Sequence, residues 1–308
     1  MPIANPLIIL APGRSFTSVV CAMIGQHPQM FPLPETHLLV CKTMREWWLL
    51  SGNNIIGHGL LRDVAEIVFG AQSVSTIKLA RLWLLRRLDR TTGAVIKELA
   101  ERVFPFAIVE KTPWTVHRIE IMRRALRVFP KAKFLHLVRH PRGYGQSQFK
   151  QWKSLKPVTH PYILSILVDG QLDYSTHPPN FDPQTNWYKL HNNILSFLAT
   201  VPPEQQMRVR GEDLLVDPDY HLRSITEWTG VRADSEAIDA MKHPERSPFA
   251  RFGPINARYG QDPDFFAHPA LRPTKPHQES LEGPLPWRKD GLGFKPEVKE
   301  LARQFGYR

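Results

Sequence analysis

Short apolar segments alternate with amphipathic stretches along most of the chain up to Gly230. Segments 7–10, 106–109, 133–138 and 207–210 have the length and character of buried strands. An amphipathic stretch follows each of them, and strands that alternate with helices indicate parallel pairing. The pattern therefore predicts an α/β fold with a doubly wound, mainly parallel sheet that helices cover on both faces.

Helix signals mark several stretches between these strands. A helix is expected from Thr17 to Ile24, with Gly25 as its stop. Thr112 and Pro113 have the pattern of an N-cap and a first helical position. The helix that follows them should present one apolar face, formed by Ile119, Met122, Leu126 and Phe129. Residues 78–103 predict a helical hairpin with a solvated basic face that includes Arg81, Arg86, Arg87 and Arg90.

Two segments lack this periodicity. Residues 152–186 form an irregular insertion, and residues 243–287 carry a proline every few positions. The second segment also contains several phenylalanines, so we expect an ordered covering segment and not a free linker. The sequence contains no internal repeat, and we expect a single domain over residues 1–308.

The charge of the chain narrows the class of partner. The 308 residues carry a formal net charge of +11 at pH 7, with a pI of about 9.8. This excess favours anionic partners, such as nucleotides, nucleic acid, sulfated or phosphorylated substrates, or membrane surfaces.

Cysteines and apolar runs indicate the compartment. Cys21 and Cys41 form no CxxC pair, which argues against a disulfide framework or a cysteine metal site and fits a reducing compartment. The apolar run at 7–10 is too short for a signal peptide or a spanning helix. We therefore expect a soluble cytoplasmic protein with no membrane span.

Distinctive polar residues follow three of the predicted strands. They are PGRSFTS after the first strand, EKTP after the second and RHPRGYGQS after the third. Ligands of parallel sheets bind beyond the carboxyl ends of the strands, so these residues should converge. At the first strand end, helix N–H groups and the Arg14 guanidinium suit a phosphate. The alternative is that Ser15 or Thr17 only caps the helix and that Arg14 is solvated.

The first of these segments resembles the 5′-phosphosulfate loop of sulfotransferases that use 3′-phosphoadenosine 5′-phosphosulfate (PAPS). Their motif is Lys or Arg followed by Ser-Gly-Thr-Thr or Ser-Gly-Thr-Ser. The resemblance implies that the cofactor is bound by Gly13, Arg14, Ser15, Phe16, Thr17 and Ser18. Phe16 replaces the usual glycine, so we expect ordinary backbone dihedrals in this loop and a phenyl ring turned away from the phosphate.

The third segment resembles the 3′-phosphate site of the same family. Arg139 directly follows a predicted strand and Ser147 lies eight positions later, as the family pattern requires. Near the C-terminus, GPLPWRKDGLGF resembles more loosely the family's basic loop over the 3′-phosphate, which implies Arg288 and Lys289 as further ligands. The resemblance implies a P-loop-like three-layer sandwich.

Two further segments resemble bacterial and tyrosylprotein sulfotransferases. HPQMFPLPETHLL ends near Glu35, which matches the family's catalytic base, and EKTPWTVHRI places Lys111 in the active site. The alternatives are that Glu35 only forms a salt bridge with an arginine, or that His37 is the base, ahead of His117.

The resemblance implies in-line transfer of a sulfuryl group from PAPS to a hydroxyl or amine of a small-molecule or polymer acceptor, which the sequence does not identify. Arg14, Lys111 and the helix N-terminus would stabilise the leaving phosphate, by roughly 2–4 kcal/mol for each donor. Such a transfer needs no bridging divalent ion, and the sequence has no acidic metal cluster, so we expect no metal.

Two other classes of function remain as alternatives. A P-loop nucleotide kinase would need the Walker pattern GxxxxGK[ST] and an aspartate for Mg²⁺ after a strand, and the first loop lacks the lysine. A non-catalytic polyanion-binding protein would interleave basic and aromatic residues on one face. The basic residues that can be interpreted lie at strand ends instead, so we expect no nucleic-acid partner.

Overall fold

Five parallel strands form the centre of the molecule. The computed structural model describes residues 4–155, 172–173, 180–272 and 279–308. Its strands are β1 (Leu7–Leu10), β2 (Met30–Pro32), β3 (Ala107–Glu110), β4 (Lys133–Val138), β5 (Leu172–Asp173), β6 (Asn180–Phe181) and β7 (Gln206–Arg210). The central sheet has the order β2-β3-β1-β4-β7 with every pair parallel, and β5 pairs antiparallel with β6. The predicted parallel α/β sheet is confirmed.

Helices cover the sheet. They are α1 (Thr17–Gly25), α2 (Met44–Ser51), α3 (His58–Phe69), α4 (Val74–Leu85), α5 (Thr92–Arg102), α6 (Ile119–Val128), α7 (Pro141–Leu155), α8 (Pro183–Leu198), α9 (Gly211–Val216), α10 (Pro218–Thr229), α11 (Ser235–Met241), α12 (Pro263–Ala267) and α13 (Pro296–Gln304). Within the ranges that the structure describes, no helix has the length and apolar character needed to cross a membrane.

The central strand explains the layers. In β1, Ile8 and Leu10 face one apolar core, whereas Leu7 and Ile9 face a second core on the other side of the sheet. This alternation follows from the two-residue period of a strand. A third apolar cluster, which includes Trp187 and Trp287, joins α8 to the C-terminal segment and α13. Val138 at the end of β4 and Tyr144 near the start of α7 belong to this third cluster.

The structure differs locally from the sequence-based expectations at two places. It adds β2 within the segment HPQMFPLPETHLL, where three residues carry no periodic signal. Thr112 and Pro113 hold the expected N-cap and first helical positions, but of a 3-10 turn over Pro113–His117, and α6 starts only at Ile119. The Thr112 hydroxyl does not cap that turn, because it donates a hydrogen bond to Glu110 Oε1 at 2.5 Å.

The helical hairpin is formed by α4 and α5, but its arginines are not simply solvated. Arg87 donates two hydrogen bonds to Glu98, at 3.0 and 2.7 Å, and its guanidinium carbon lies 3.4 Å from the Trp83 ring centroid. Arg81 donates to the carbonyl of Gly52 at 2.5 Å. The interpretation of this helix as a solvated basic face is therefore wrong for these two arginines.

The two irregular segments are described in part. Most of the insertion at 152–186 lies outside the described residues, as do residues 273–278 of the covering segment. The rest of the covering segment is ordered through α12, and Phe249, Phe265 and Phe266 are buried. Both cysteines are buried free thiols.

Candidate active site

The loop between β1 and α1 has an unusual backbone. Arg14 and Phe16 have φ angles of 68° and 62°, in the left-handed region that favours glycine. The expectation of ordinary dihedrals for Phe16 is therefore wrong. Two contacts hold its ring: the Arg139 guanidinium carbon lies 4.3 Å from the ring centroid, and a Cβ built on Gly211 would lie only 2.4 Å from the ring. Close packing thus offsets a conformation that costs about 1–2 kcal/mol.

The first turn of α1 keeps its N–H groups free of side-chain caps. Phe16 is the N-cap residue, and no side chain accepts a hydrogen bond there. The alternative that Ser15 or Thr17 only caps the helix is therefore wrong. Ser15 Oγ is buried and has no hydrogen-bond partner among the described residues. A helix start with donors that no side chain caps and with a positive dipole end suits an anion.

Arg14 and Arg139 meet although 125 positions separate them. Arg139 donates to the main-chain carbonyl of Arg14 at 2.6 Å, and Arg14 Nε donates to Ser147 Oγ at 2.9 Å. The Arg14 guanidinium also forms ion pairs with Asp262 and Asp264 of the covering segment, the second at 2.6 Å. The ends of β1 and β4 therefore bring both predicted phosphate ligands together.

These residues border one cleft of about 500 Å³, which we call the nucleotide cleft. The volume lies in the range of small-ligand sites. Burial lowers the pKa of Arg139, and its Nε has no hydrogen-bond partner among the described residues. The cleft is bordered by residues that include Arg14, Phe16, Thr17, Ser18, Arg139, Ser147, Lys150, Asp262 and Asp264.

Lys111 and Glu35 form a partly buried ion pair beside this cleft. Lys111 follows β3, its side chain is fully buried, and its Nζ lies 2.7 Å from Glu35 Oε1 and 2.9 Å from Ser18 Oγ. Glu35 keeps 28% of its side chain exposed. The carboxylate is thus paired with a lysine and not with an arginine, and it still faces an open space.

That space is a smaller cavity of about 160 Å³, which we call the transfer cavity. It shares Arg14, Thr17, Ser18 and Asp262 with the nucleotide cleft. The remaining lining includes Gly13, Glu35, Trp114, His117, Gln148, Asn186, Leu190 and Gln261. A group bound here would therefore contact Glu35 on one side and the start of α1 on the other.

His37 lies next to the pair but is shielded. Its φ is 56°, and its Nδ1 lies 3.2 Å from the carbonyl oxygen of Glu35. Burial lowers the pKa of His37, which favours the neutral ring, and the ring packs edge-on against Trp114 with centroids 5.1 Å apart. His117 lines the transfer cavity, whereas His37 is not among its lining residues.

The two C-terminal candidates lie elsewhere. Arg288 forms ion pairs with Asp182 and Asp290, and Lys289 is exposed. Neither residue is among those that border the nucleotide cleft or the transfer cavity, so their role in binding stays a prediction. Asp262, Asp264 and Trp114 were not among the predicted site residues. The two aspartates lie beside Pro263 in a segment without periodicity, and Trp114 lies within EKTPWTVHRI, which indicated only Lys111. In the described part of the chain, no cluster of three or more His, Cys, Asp or Glu side chains could hold a metal ion.

Known proteins share this fold. A family model described as the sulfotransferase family matches residues 6–235. The sulfotransferase domain from the curacin biosynthetic pathway is 22% identical with a TM-score of 0.74, and the match covers 100% of this chain and 99% of that one. The sulfotransferase domain from the Synechococcus PCC 7002 olefin synthase is 21% identical with a TM-score of 0.71, over 100% and 97%.

A more distant structure is sulfotransferase STF9 from Mycobacterium avium, 16% identical with a TM-score of 0.50 over 100% of this chain and 78% of that one. No curated protein sequence matches the chain. The structural matches establish a shared fold, and the family model covers well over half of the sequence. The chain belongs to the sulfotransferase family.

Proposed function

We propose that this protein transfers a sulfuryl group from PAPS to a hydroxyl or amine of an acceptor. The observation that carries the proposal is the nucleotide cleft, which Arg14 borders together with Arg139 and Ser147. Family membership supports sulfuryl transfer in general, and the cleft supports an adenosine bisphosphate as the carrier of the group.

Several polar atoms fit such a donor. The first turn of α1 has no side-chain cap, and Ser15 Oγ and Arg139 Nε are buried without hydrogen-bond partners in the described ranges. Buried polar groups are rarely left unpaired, so these atoms favour an anionic ligand. Arg14, Thr17 and Ser18 would hold the 5′ end of the donor, and Arg139 with Ser147 would hold its 3′-phosphate.

Bound PAPS supplies an activated sulfuryl group. The acceptor oxygen or nitrogen forms the new bond to sulfur, while the bond from sulfur to the 5′-phosphate oxygen breaks with its electron pair on the phosphate. Glu35 accepts the proton that the acceptor loses. Lys111 Nζ lies between Glu35 and Ser18 and stabilises the charge that develops on the leaving phosphate. His37 is the alternative base, and its Nδ1 lies 3.2 Å from the carbonyl oxygen of Glu35.

Thermal unfolding with nucleotides tests this proposal. Adenosine 3′,5′-bisphosphate (PAP) should raise the Tm by several degrees, because a ligand at a hundred times its Kd adds about 2.7 kcal/mol to the free energy of unfolding. ATP with Mg²⁺ should give no such shift. A shift with ATP and Mg²⁺ alone would support a nucleotide kinase instead, and equal shifts with unrelated polyanions would support a polyanion-binding protein.

A further inference from the structure

A larger groove of about 1070 Å³, which we call the outer groove, adjoins the transfer cavity. Both spaces are lined by Trp114, His117, Asn186 and Leu190, so they meet at these four residues. An acceptor that presents a hydroxyl to Glu35 would extend from the transfer cavity into this groove.

The described walls of the outer groove are strongly basic. Four cationic side chains line it, against the single carboxylate of Glu120: Lys42, Arg118, Arg124 and Lys189. Lys42, Arg118 and Lys189 are exposed and form no ion pair with any described residue, whereas Arg124 is half-buried and donates to the carbonyl of Leu39 at 2.9 Å. Such clustering of like charges is unfavourable unless an anion joins them.

Several cations outside the groove are neutralised by carboxylates. Glu98 pairs with three arginines of the α4–α5 hairpin, and Glu282 pairs with Lys299 and Arg303. Three exposed cations of the outer groove have no such partner among the described residues. Its remaining wall is apolar and includes Val40, Leu50 and Ile121 besides the shared Trp114 and Leu190.

We propose that the outer groove binds the distal part of an elongated acceptor that carries a carboxylate or a phosphate ester. The apolar wall contacts the body of this acceptor, its anionic group lies among Arg118, Lys189 and Lys42, and its hydroxyl reaches Glu35. The inference rests on the proposed function and specifies the substrate class of the same site.

Binding of three probes tests this inference. They are an ω-hydroxy fatty acid, an alkyl phosphate of the same chain length and the methyl ester of the hydroxy acid, each titrated by calorimetry without nucleotide at low salt. Both anionic probes should bind at least tenfold more tightly than the ester, and added salt should reduce that preference. A larger gain for one anion identifies whether a carboxylate or a phosphate is preferred.

The double variant Arg118→Gln/Lys189→Gln should lose most of the anion preference while it binds the ester and PAP as the parent does. The matched control is Lys97→Gln/Lys131→Gln, which removes the same charge at exposed positions outside the groove. Equal affinity for all probes, no binding of any probe, or an anion preference that survives the double variant would overturn the inference.

The test of the anion preference and the test of PAPS dependence can fail independently of each other. Because the probes are titrated without nucleotide, a failure of PAP to bind contradicts PAPS dependence and leaves the anion preference measurable. If PAP binds, radiolabelled PAPS should label the hydroxy acid with a KM at least tenfold below that of its ester. In the double variant that KM should rise while kcat stays unchanged, and an unaltered KM would again overturn the inference.

Discussion

Phe16 combines a left-handed backbone with a packed aromatic ring. The backbone angle favours glycine, but the ring contacts both the Arg139 guanidinium and the start of α9 at Gly211. A glycine at this position would relax the backbone and lose both contacts. The residue thus fixes the Arg139 side chain beside the nucleotide cleft at a local conformational cost.

Paired substitutions separate these two effects. Phe16→Ala and Phe16→Gly remove the same contacts, but alanine keeps the penalty of a positive φ. We therefore expect the glycine variant to have the higher free energy of unfolding, by about 1 kcal/mol, in urea titrations. At Phe106, which has no positive φ, the same pair should show the reverse order. An alanine variant as stable as the glycine variant at position 16 would contradict the strained loop.

Substitutions of Arg139 and of Glu35 should affect different quantities, the first PAP affinity and the second turnover. Arg139→Ala should weaken PAP binding roughly tenfold to hundredfold, because a buried charge-assisted contact contributes about 1.5–3 kcal/mol. It should slow turnover at saturating PAPS far less. PAP titration and steady-state kinetics measure the two effects, with the exposed Arg127→Ala as control.

Glu35→Gln should do the opposite and lower kcat by roughly a hundredfold or more, with little change in PAP affinity. The substitution removes the carboxylate that we propose as proton acceptor but keeps a hydrogen-bonding group beside Lys111. Unchanged turnover in this variant would exclude Glu35 as the base and direct the same test to His37.

At the scale of elements, the segment that enters α12 contacts the β1–α1 loop through charge. Asp262 and Asp264 both pair with the Arg14 guanidinium, and Asp262 Oδ1 also accepts a hydrogen bond from the first turn of α12. These carboxylates compete with a phosphate for the same donors. A nucleotide that binds Arg14 would therefore have to displace or rearrange the start of α12.

Removal of this competition should strengthen nucleotide binding. Asp262→Asn/Asp264→Asn should lower the Kd for PAP about threefold to tenfold at low salt, and less at high salt, as partly exposed ion pairs are screened. Calorimetry measures the change, and Asp219→Asn/Asp239→Asn is the charge-matched control at a distant lysine, Lys242. Weaker PAP binding in the first variant would mean that the carboxylates position Arg14 for the ligand.

Regular elements could be predicted from the sequence, and irregular ones could not. Apolar runs predict β1 and β4, and a glycine stop marks the end of α1. Because the ends of parallel strands converge, Arg14 and Arg139 could also be predicted to lie near each other. The three residues of β2 are too few for a periodic signal. Asp262 and Asp264 contact Arg14 from 248 and 250 positions away through a segment without periodicity, so no local pattern indicates that contact.

At the scale of the whole molecule, a buried histidine pair connects the sheet to the C-terminal segment. His136 of β4 and His191 of α8 approach to 2.9 Å, and both pack against Phe305. Arg208 can only donate to His136 Nδ1, at 3.3 Å, so His136 donates its other N–H to His191. His191 Nε2 is buried without a partner among the described residues.

This pair should make stability depend on pH. Burial lowers the pKa of His191 to about 3 and holds that of His136 well below its usual range. At pH values between the histidine pKa of the folded state and that of the unfolded state, about 6.5, the unfolded chain binds more protons. The free energy of unfolding should therefore fall as pH drops from 7 to 5.

His191→Gln should reduce that fall by about 1–2 kcal/mol in urea titrations at the two pH values. The exposed His268→Gln should leave it unchanged. An identical pH dependence in the parent and in His191→Gln would exclude the buried pair as its source.

The two outer strands of the described sheet share a further property. β2 has only three residues and ends in Pro32, which has no N–H to donate, and β7 carries Arg208 and Arg210. Short length, proline and positive charge are the features that keep exposed strand edges from pairing with another chain. The sheet therefore offers a poor template for strand addition, and the folded protein should resist aggregation that grows through its sheet.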